Sequence, residues 1–477
     1  MFDEGVTNKL ILDPDRLFPV DPATREVARA LYAEVAALPI LSPHGHVDPA
    51  ILLGNVPFPD PAELLIRYDH YVTRLMHAAG VQLTELGIPD RTGVTAVASP
   101  REVWRTFCAH WHLYAGTASG YWLQHEFSVL FGIDQHPDAR NADALFDLIQ
   151  AALATDAFRP RALFDSFGIE VLATTDDPMA DLAVHRALAD DPEFSGRVLP
   201  TFRPDAYLNP AAAGFAENVA RLAEWNGSAA ASYSGYIEAL AGRRRYFVEH
   251  GAVSADHGVA QPLAVDLSAS EAASLFEGAR AGSLSAAEAR AFDGHMLLEM
   301  ARMSVDDGLV MTVHPGVFRN HNTDTFTRFG ADTGHDIPVT TNYVEPLRPL
   351  LEKYGNRPDF HLVLFAVDET VYSREVAPLA GFYPSVYVGA PWWFLDAPDA
   401  VLRFRAAVTE TAGFYRSSGF IDDTRAFLSI PARHEMARRL DAAFLARLVR
   451  EGRVDLPTAE RIIVDLVDTL PRKVFKL

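Results

Sequence analysis

Short apolar runs recur along the chain, each ending in a polar cluster, with helical patterns between them. In order they are LPILSPHGH (38–46), GIEVLATTDD (168–177), RVLPTFRPD (197–205), FVEHGAVSADHG (247–258), GLVMTVHPG (308–316), FHLVLFAVDE (360–369), SVYVGAPWWF (385–394) and GFIDDTRAF (419–427). Most are continuously apolar rather than alternating, the pattern of parallel strands covered on both faces. Intervening stretches such as ADLAVHRALAD (180–190) and DAVLRFRAAVTETAGFYRS (399–417) carry the apolar spacing of helices. Strand–helix units in this number predict an α/β fold, a (β/α)8 TIM-type barrel; the fourth and eighth runs are the least strand-like. Such a barrel builds its site at the C-terminal ends of its strands, so the polar clusters converge on one mouth.

The gap between the first and second runs is far longer than one crossover helix. It holds PAELLIRYDHYVTRLMHAAGV (61–81) and SPREVWRTFCAHWHLYAG (99–116), both helix-like. The expected organisation is a barrel from 1–50 and 160–477, with a helical insertion over 51–159 that caps the mouth. No internal repeat or low-complexity linker interrupts it.

Composition narrows the possibilities. Hydrophobic residues form 49% of 477, enough for a full core. No apolar run reaches the ~18 residues of a membrane helix. The start, MFDEGVTNKL, lacks a basic stretch followed by an apolar one, so no signal peptide is expected. Cys108 is the only cysteine, which excludes an internal disulfide and a thiolate metal site. Cytoplasmic residence is the expectation. A net charge of −21 disfavours nucleic acid and anionic membrane as partners. Any site for an anionic small molecule must then be locally positive, which makes arginines at strand ends informative. Homo-oligomerisation is left open.

His44 and His46 close the first run as H-x-H. On a strand, i and i+2 share a face, so both imidazoles can reach one divalent ion; two loop histidines bonded to backbone are the plainer alternative. Asp423, at the end of the eighth run, can complete a His-His-Asp set. Asp422 should point the other way, and one of the two aspartates can instead cap the next helix. His314 ends the fifth run, as a further ligand, a substrate contact or a purely orienting group. The fourth run offers no bridging lysine, so one metal is expected rather than two. Arg203 and Arg425 suit bidentate carboxylate recognition, or a structural pairing with neighbours such as Asp205 and Asp423. Asp69, His70 and Tyr71 are adjacent, and spacing alone makes them a helix surface unless the helix ends or bends there. Trp392 and Trp393 suit a sugar face or simple rim packing. Asp176 and Asp177 in TTDDP can orient the ligand histidines or cap a helix. No phosphate loop, G-x-G-x-x-G or G-x-S-x-G is present.

Taken together and in order, SPHGHVDP, YDHY, ATTDDP, LPTFRPD, SADHG, GAPWWF and DDTRAFLSIPARHE resemble the uronate (glucuronate) isomerase family of the amidohydrolase superfamily. The likeness spans nearly the whole chain. It departs at Asp423-Thr424-Arg425-Ala426-Phe427, where the family usually has Asp-Ser-Arg-Ser-Phe, but keeps the Asp and the Arg. The resemblance implies a barrel of the metal-dependent hydrolase kind and conversion of D-glucuronate to D-fructuronate and of D-galacturonate to D-tagaturonate, through a cis-enediol. It implies one divalent metal, zinc first, with manganese or cobalt as alternatives, on His44, His46 and Asp423. It moves His70 and Tyr71 from helix surface to site. Tyr71, with its pKa lowered by an arginine such as Arg425, becomes the candidate proton shuttle, and Asp423 a ring-opening group. His70, Arg203, His314 and Trp393 become substrate contacts. A lactone or amide hydrolase on the same barrel, and a non-catalytic uronate-binding protein, are the alternatives.

Overall fold

The computed structural model describes residues 8–93, 96–227 and 231–477. The first seven residues, which carry most of the stretch bearing on a signal peptide, lie outside the described residues. The strands are β1 (Ile40–Ser42), β2 (Ile169–Ala173), β3 (Arg197–Leu199), β4 (Ser254–His257), β5 (Val310–Val313), a short antiparallel pair β6 (Val317–Phe318) and β7 (Ile337–Pro338), β8 (Leu362–Leu364) and β9 (Val386–Val388).

β1, β2 and β3 pair in parallel, as do β4, β5, β8 and β9. A parallel bridge between Phe202 and Ala255 joins the two sets, and another between Val388 and Ser417 extends the order past β9. The His46 amide donates to the Thr424 carbonyl at 3.0 Å and closes the ring at the mouth. The result is the expected (β/α)8 barrel.

Two of the eight runs differ from expectation. Phe247–Glu249 ends the helix Tyr233–Glu249, so the fourth strand begins only at Ser254. The eighth run forms no strand ladder. Gly419 and Asp423 take left-handed φ of 79° and 41°, which breaks an extended chain.

Alternation along the strands sorts the core. Ala255, Met311, Val313, Leu362, Leu364, Val386 and Val388 pack with the surrounding helices. The intervening Val310, Val363, Phe365 and Tyr387 cluster instead with Val474 and Phe475 of the C-terminal tail. Apolar side chains thus fill the floor, while buried polar side chains such as Asp256 and Thr312 lie towards the C-terminal ends of their strands.

Among the described residues between β1 and β2 the regular elements are all helical, and their apolar side chains share a cluster with Ile40, Ile169, Leu172 and Val198. The single helix expected over 61–81 is broken. Glu63–Arg67 forms one π-helical turn, and Asp69, in extended backbone, caps a new helix His70–Ala78 by accepting from the Tyr71 amide at 2.8 Å. No helix among the described residues is long and apolar enough to cross a membrane.

Candidate active site

β1 delivers His44 and His46 to the mouth. Thr175 Oγ1, at the end of β2, donates to the Gly45 carbonyl at 2.9 Å and pins the loop between the two histidines. Asp423 meets them from the eighth run, its Oδ1 3.3 Å from His44 Nε2 and 3.1 Å from His46 Nε2. Neither approach has the geometry of a hydrogen bond, so a buried carboxylate oxygen faces two ring nitrogens without a conventional partner. The ligand atoms of the three side chains lie within 4.8 Å of one another, the only such group among the described residues. Two imidazole nitrogens and one carboxylate oxygen at this spacing fit one divalent metal. Asp422 turns away, with Oδ2 3.0 Å from His434 Nε2, and does not face the trio. The left-handed backbone of Asp423 makes the two neighbouring carboxylates diverge.

Burial opposes charge on His44, but the carboxylates of Asp256 and Asp423 outweigh it and raise its pKa. For His46 burial prevails and lowers it. Burial also works against an ionised Asp423, yet the two imidazoles hold its carboxyl far below the ordinary range.

His314 stands outside the trio. Its Nε2 is 2.9 Å from Oδ2 of the fully buried Asp256, whose Oδ1 accepts from Thr312 Oγ1 at 2.6 Å. Arg203 joins them, with Nη1 3.3 Å from Asp256 and Nε 3.0 Å from Asp205. Gly258 makes room for this cluster. A Cβ there would lie 2.8 Å from Asp205 Oδ2 and from His314 Cε1, and 2.9 Å from Arg203 Nη2.

His44, His46, Asp423, His314, Arg203 and Asp205 line one cavity of about 740 Å³, which also takes in His70, Tyr71, Trp393 and Arg425. The break at Asp69 is what brings His70 and Tyr71 there. Their rings stack with centroids 4.9 Å apart, and Trp393 lies 5.8 Å from His70. Arg425 pairs with Asp332 at 3.1 Å, rather than with Asp423.

One expectation is reversed. Tyr71 is not acidified by Arg425. Burial pushes its hydroxyl well above the usual tyrosine range, against the opposing charge of Arg433. Arg433 is the arginine beside it, with its guanidinium 5.1 Å from the Tyr71 ring and 3.5 Å from that of Trp122. Asp176 also differs from expectation. It accepts from Thr174 and from the Thr201 amide and lies 3.8 Å from His185, so it does not orient the ligand histidines.

Spacing alone singles out neither Asp332 nor Arg433, and the lack of a lysine in SADHG draws attention away from Asp256. An aspartate inside an apolar strand was the available signal for Asp256. Arg433 sits on the helix Ile430–Arg450, whose buried face is only legible once the barrel is assembled.

The sequence model of the family described as "Glucuronate isomerase" matches residues 22–474. The chain is 53% identical to a uronate isomerase of Corynebacterium efficiens, over 97% of this chain and 98% of that one. It is 51% identical to a uronate isomerase of Sphingopyxis alaskensis, over 98% and 99%. Among solved structures it is similar to glucuronate isomerase from Caulobacter crescentus, with a TM-score of 0.96, 50% identity and coverage of 98% and 97%. Uronate isomerase from Thermotoga maritima superposes with a TM-score of 0.91 at 27% identity, covering 98% and 99%.

Proposed function

Because the chain belongs to the glucuronate isomerase family, we propose that this cavity interconverts D-glucuronate with D-fructuronate and D-galacturonate with D-tagaturonate. The observation that carries this reading is one cavity lined by a metal-fitting His-His-Asp trio, by Tyr71 and by the three arginines Arg203, Arg319 and Arg425.

The chemistry sets four tasks. The cyclic hemiacetal must open, which moves the O1 proton to the ring oxygen. The C2 proton must leave, acidified by the C1 carbonyl. The resulting cis-enediol takes a proton at C1, and the O2 proton passes to O1. The substrate's carboxylate must be anchored throughout.

A divalent metal on His44, His46 and Asp423 would supply positive charge to a substrate oxygen as negative charge develops there; zinc is our first choice, with manganese or cobalt as alternatives. Asp423, ionised between two imidazoles, is the group we assign to the ring-opening proton transfer. Tyr71 is our proton carrier between carbons. Burial keeps its hydroxyl protonated at rest, so it first gives that proton to O1, takes the C2 proton as a phenolate to leave the cis-enediol, then returns it to C1 and recovers a proton from O2. Arg433 beside it supplies the positive charge that a transient phenolate needs. His314, fixed by Asp256, and His70 hold substrate hydroxyls, and Trp393 walls the sugar from water. We read 51–159 as the insertion that caps the mouth, since His70 and Tyr71 come from it.

A hydrolase on the same barrel has less support, since the curated relatives at about half identity are isomerases. A coupled ketose assay on D-glucuronate, run beside hydrolysis of a panel of lactones, separates the two. Ketose from glucuronate with intact lactones is the expected result; lactone hydrolysis without ketose rejects the proposal.

A further inference from the structure

Three arginines line the cavity, and they differ in how firmly their acids are held. Arg203 is claimed by two carboxylates, Asp205 at 3.0 Å and Asp256 at 3.3 Å, and the Asp256 side chain is fully buried. Arg319 pairs with Asp336 at 2.9 Å, itself only 7% exposed and fixed further by the Asn320 amide at 2.7 Å. Arg425 has a single contact, Nη2 to Asp332 Oδ2 at 3.1 Å, and these two side chains are 38% and 48% exposed. An exposed, one-point ion pair is weak and screened, so it is the one an incoming anion displaces most easily.

Asp332 is nevertheless not a stray surface acid. Its φ of 62° is left-handed, and it lies between β6 and β7 in a segment tied to the helical insertion. Arg328 bonds Asp90 at 3.0 Å, and the Arg91 amide donates to the Arg328 carbonyl at 2.7 Å. The fold thus presents a carboxylate to Arg425 at the cavity wall.

Since Tyr71 is partnered by Arg433, Arg425 is free for substrate. We propose that Asp332 occupies on Arg425 the seat of the substrate carboxylate, so that uronate binds by exchanging one carboxylate for another. The inference rests on the uronate reading above. In this arrangement Asp332 is a competitor built into the wall. It weakens binding of any carboxylate ligand, keeps weaker anions off Arg425, and retakes the arginine as product leaves.

The test is Asp332→Asn, which keeps shape and removes the charge. Asp324→Asn, on the neighbouring exposed helix Thr323–Phe329, controls for the loss of one negative charge nearby. Calorimetric Kd values are measured for D-gluconate, an open-chain carboxylate, and D-glucitol, its neutral counterpart. KM and kcat for D-glucuronate are measured alongside. The expected result for Asp332→Asn is a roughly 3- to 10-fold tighter gluconate Kd and a KM lowered to match. Glucitol affinity and kcat should stay within about twofold, and Asp324→Asn should stay near wild type. A weaker or unchanged gluconate Kd overturns the proposal, as does equal tightening of glucitol or an equal gain in Asp324→Asn. The gluconate arm needs no turnover. A wild-type protein that makes no ketose therefore counts against the isomerase reading, while the Kd values still decide the exchange.

Discussion

Two arginine–aspartate pairs flank the candidate site, and burial sets them apart. At the mouth, Arg425 meets Asp332 with both side chains well exposed. Beneath Tyr71, Arg433 meets Asp396 at 2.9 Å with exposures of 1% and 2%. Arg433 also donates to Ser429 Oγ at 3.0 Å and to the Asp422 carbonyl at 3.3 Å. It therefore ties Tyr71 and Trp122, from the helices between β1 and β2, to the backbone beside Asp423. The same ionic chemistry yields a replaceable contact in water and a structural tie in the interior, because desolvation makes the buried pair costly to break.

Breaking each pair should show the contrast. Arg433→Met leaves Asp396 buried without its cation, and we expect a loss of about 3–5 kcal/mol, read from the denaturant midpoint. A loss below about 1 kcal/mol would mean that the interior pair is no firmer than the mouth pair.

A second effect belongs to the interior side. Glu126 is 3% exposed, and burial pushes its carboxyl up to about 8, helped by Asp69 and opposed by Arg433. The folded state therefore holds this proton more tightly than the unfolded chain does. Stability is greatest below the unfolded carboxyl pKa and falls as pH rises towards 8, by an amount on the order of a few kcal/mol. Glu126→Gln should flatten that slope in denaturation series between pH 5 and 8 (roughly the span between the two pKa values). An unchanged slope would assign the pH dependence elsewhere.

At the mouth, Arg425→Met should raise KM for D-glucuronate about 10- to 100-fold, or ~1.4–2.7 kcal/mol, with much the same unfolding midpoint. A shifted midpoint with normal KM would exchange the roles of the two arginines. The smallest effect is that of Asp332→Asn on stability, under about 1 kcal/mol by thermal denaturation.

What the sequence made legible follows the same division. Barrel strands were readable because each is a run of residues buried on both faces, and the H-x-H of His44 and His46 because strand geometry puts i and i+2 together. Asp423 was reachable as the carboxylate closing the last run, although the strand itself is missing: a left-handed residue leaves no mark in an apolar pattern. Tyr71 could not be placed by spacing. Its orientation depends on Asp69 ending one turn and capping the next, and YDHY reads equally well as unbroken helix. The partners of Arg425 and Arg433 were invisible, since Asp332 and Asp396 lie 93 and 37 residues away. Pairing over such distances is fixed by tertiary packing, so the sequence pointed to the wrong arginine for Tyr71.

The central claim is proton transfer between C2 and C1 of a uronic acid in this cavity. Proton NMR of the metal-loaded protein with D-glucuronate in D2O tests it directly. The account predicts that the ketose appears, with solvent deuterium entering at C1 of the product and at C2 of recovered substrate. It also predicts that Tyr71→Phe suppresses that exchange. Absence of ketose and of any exchange at C1 or C2 would contradict the account, and full exchange in Tyr71→Phe would remove the tyrosine from the step.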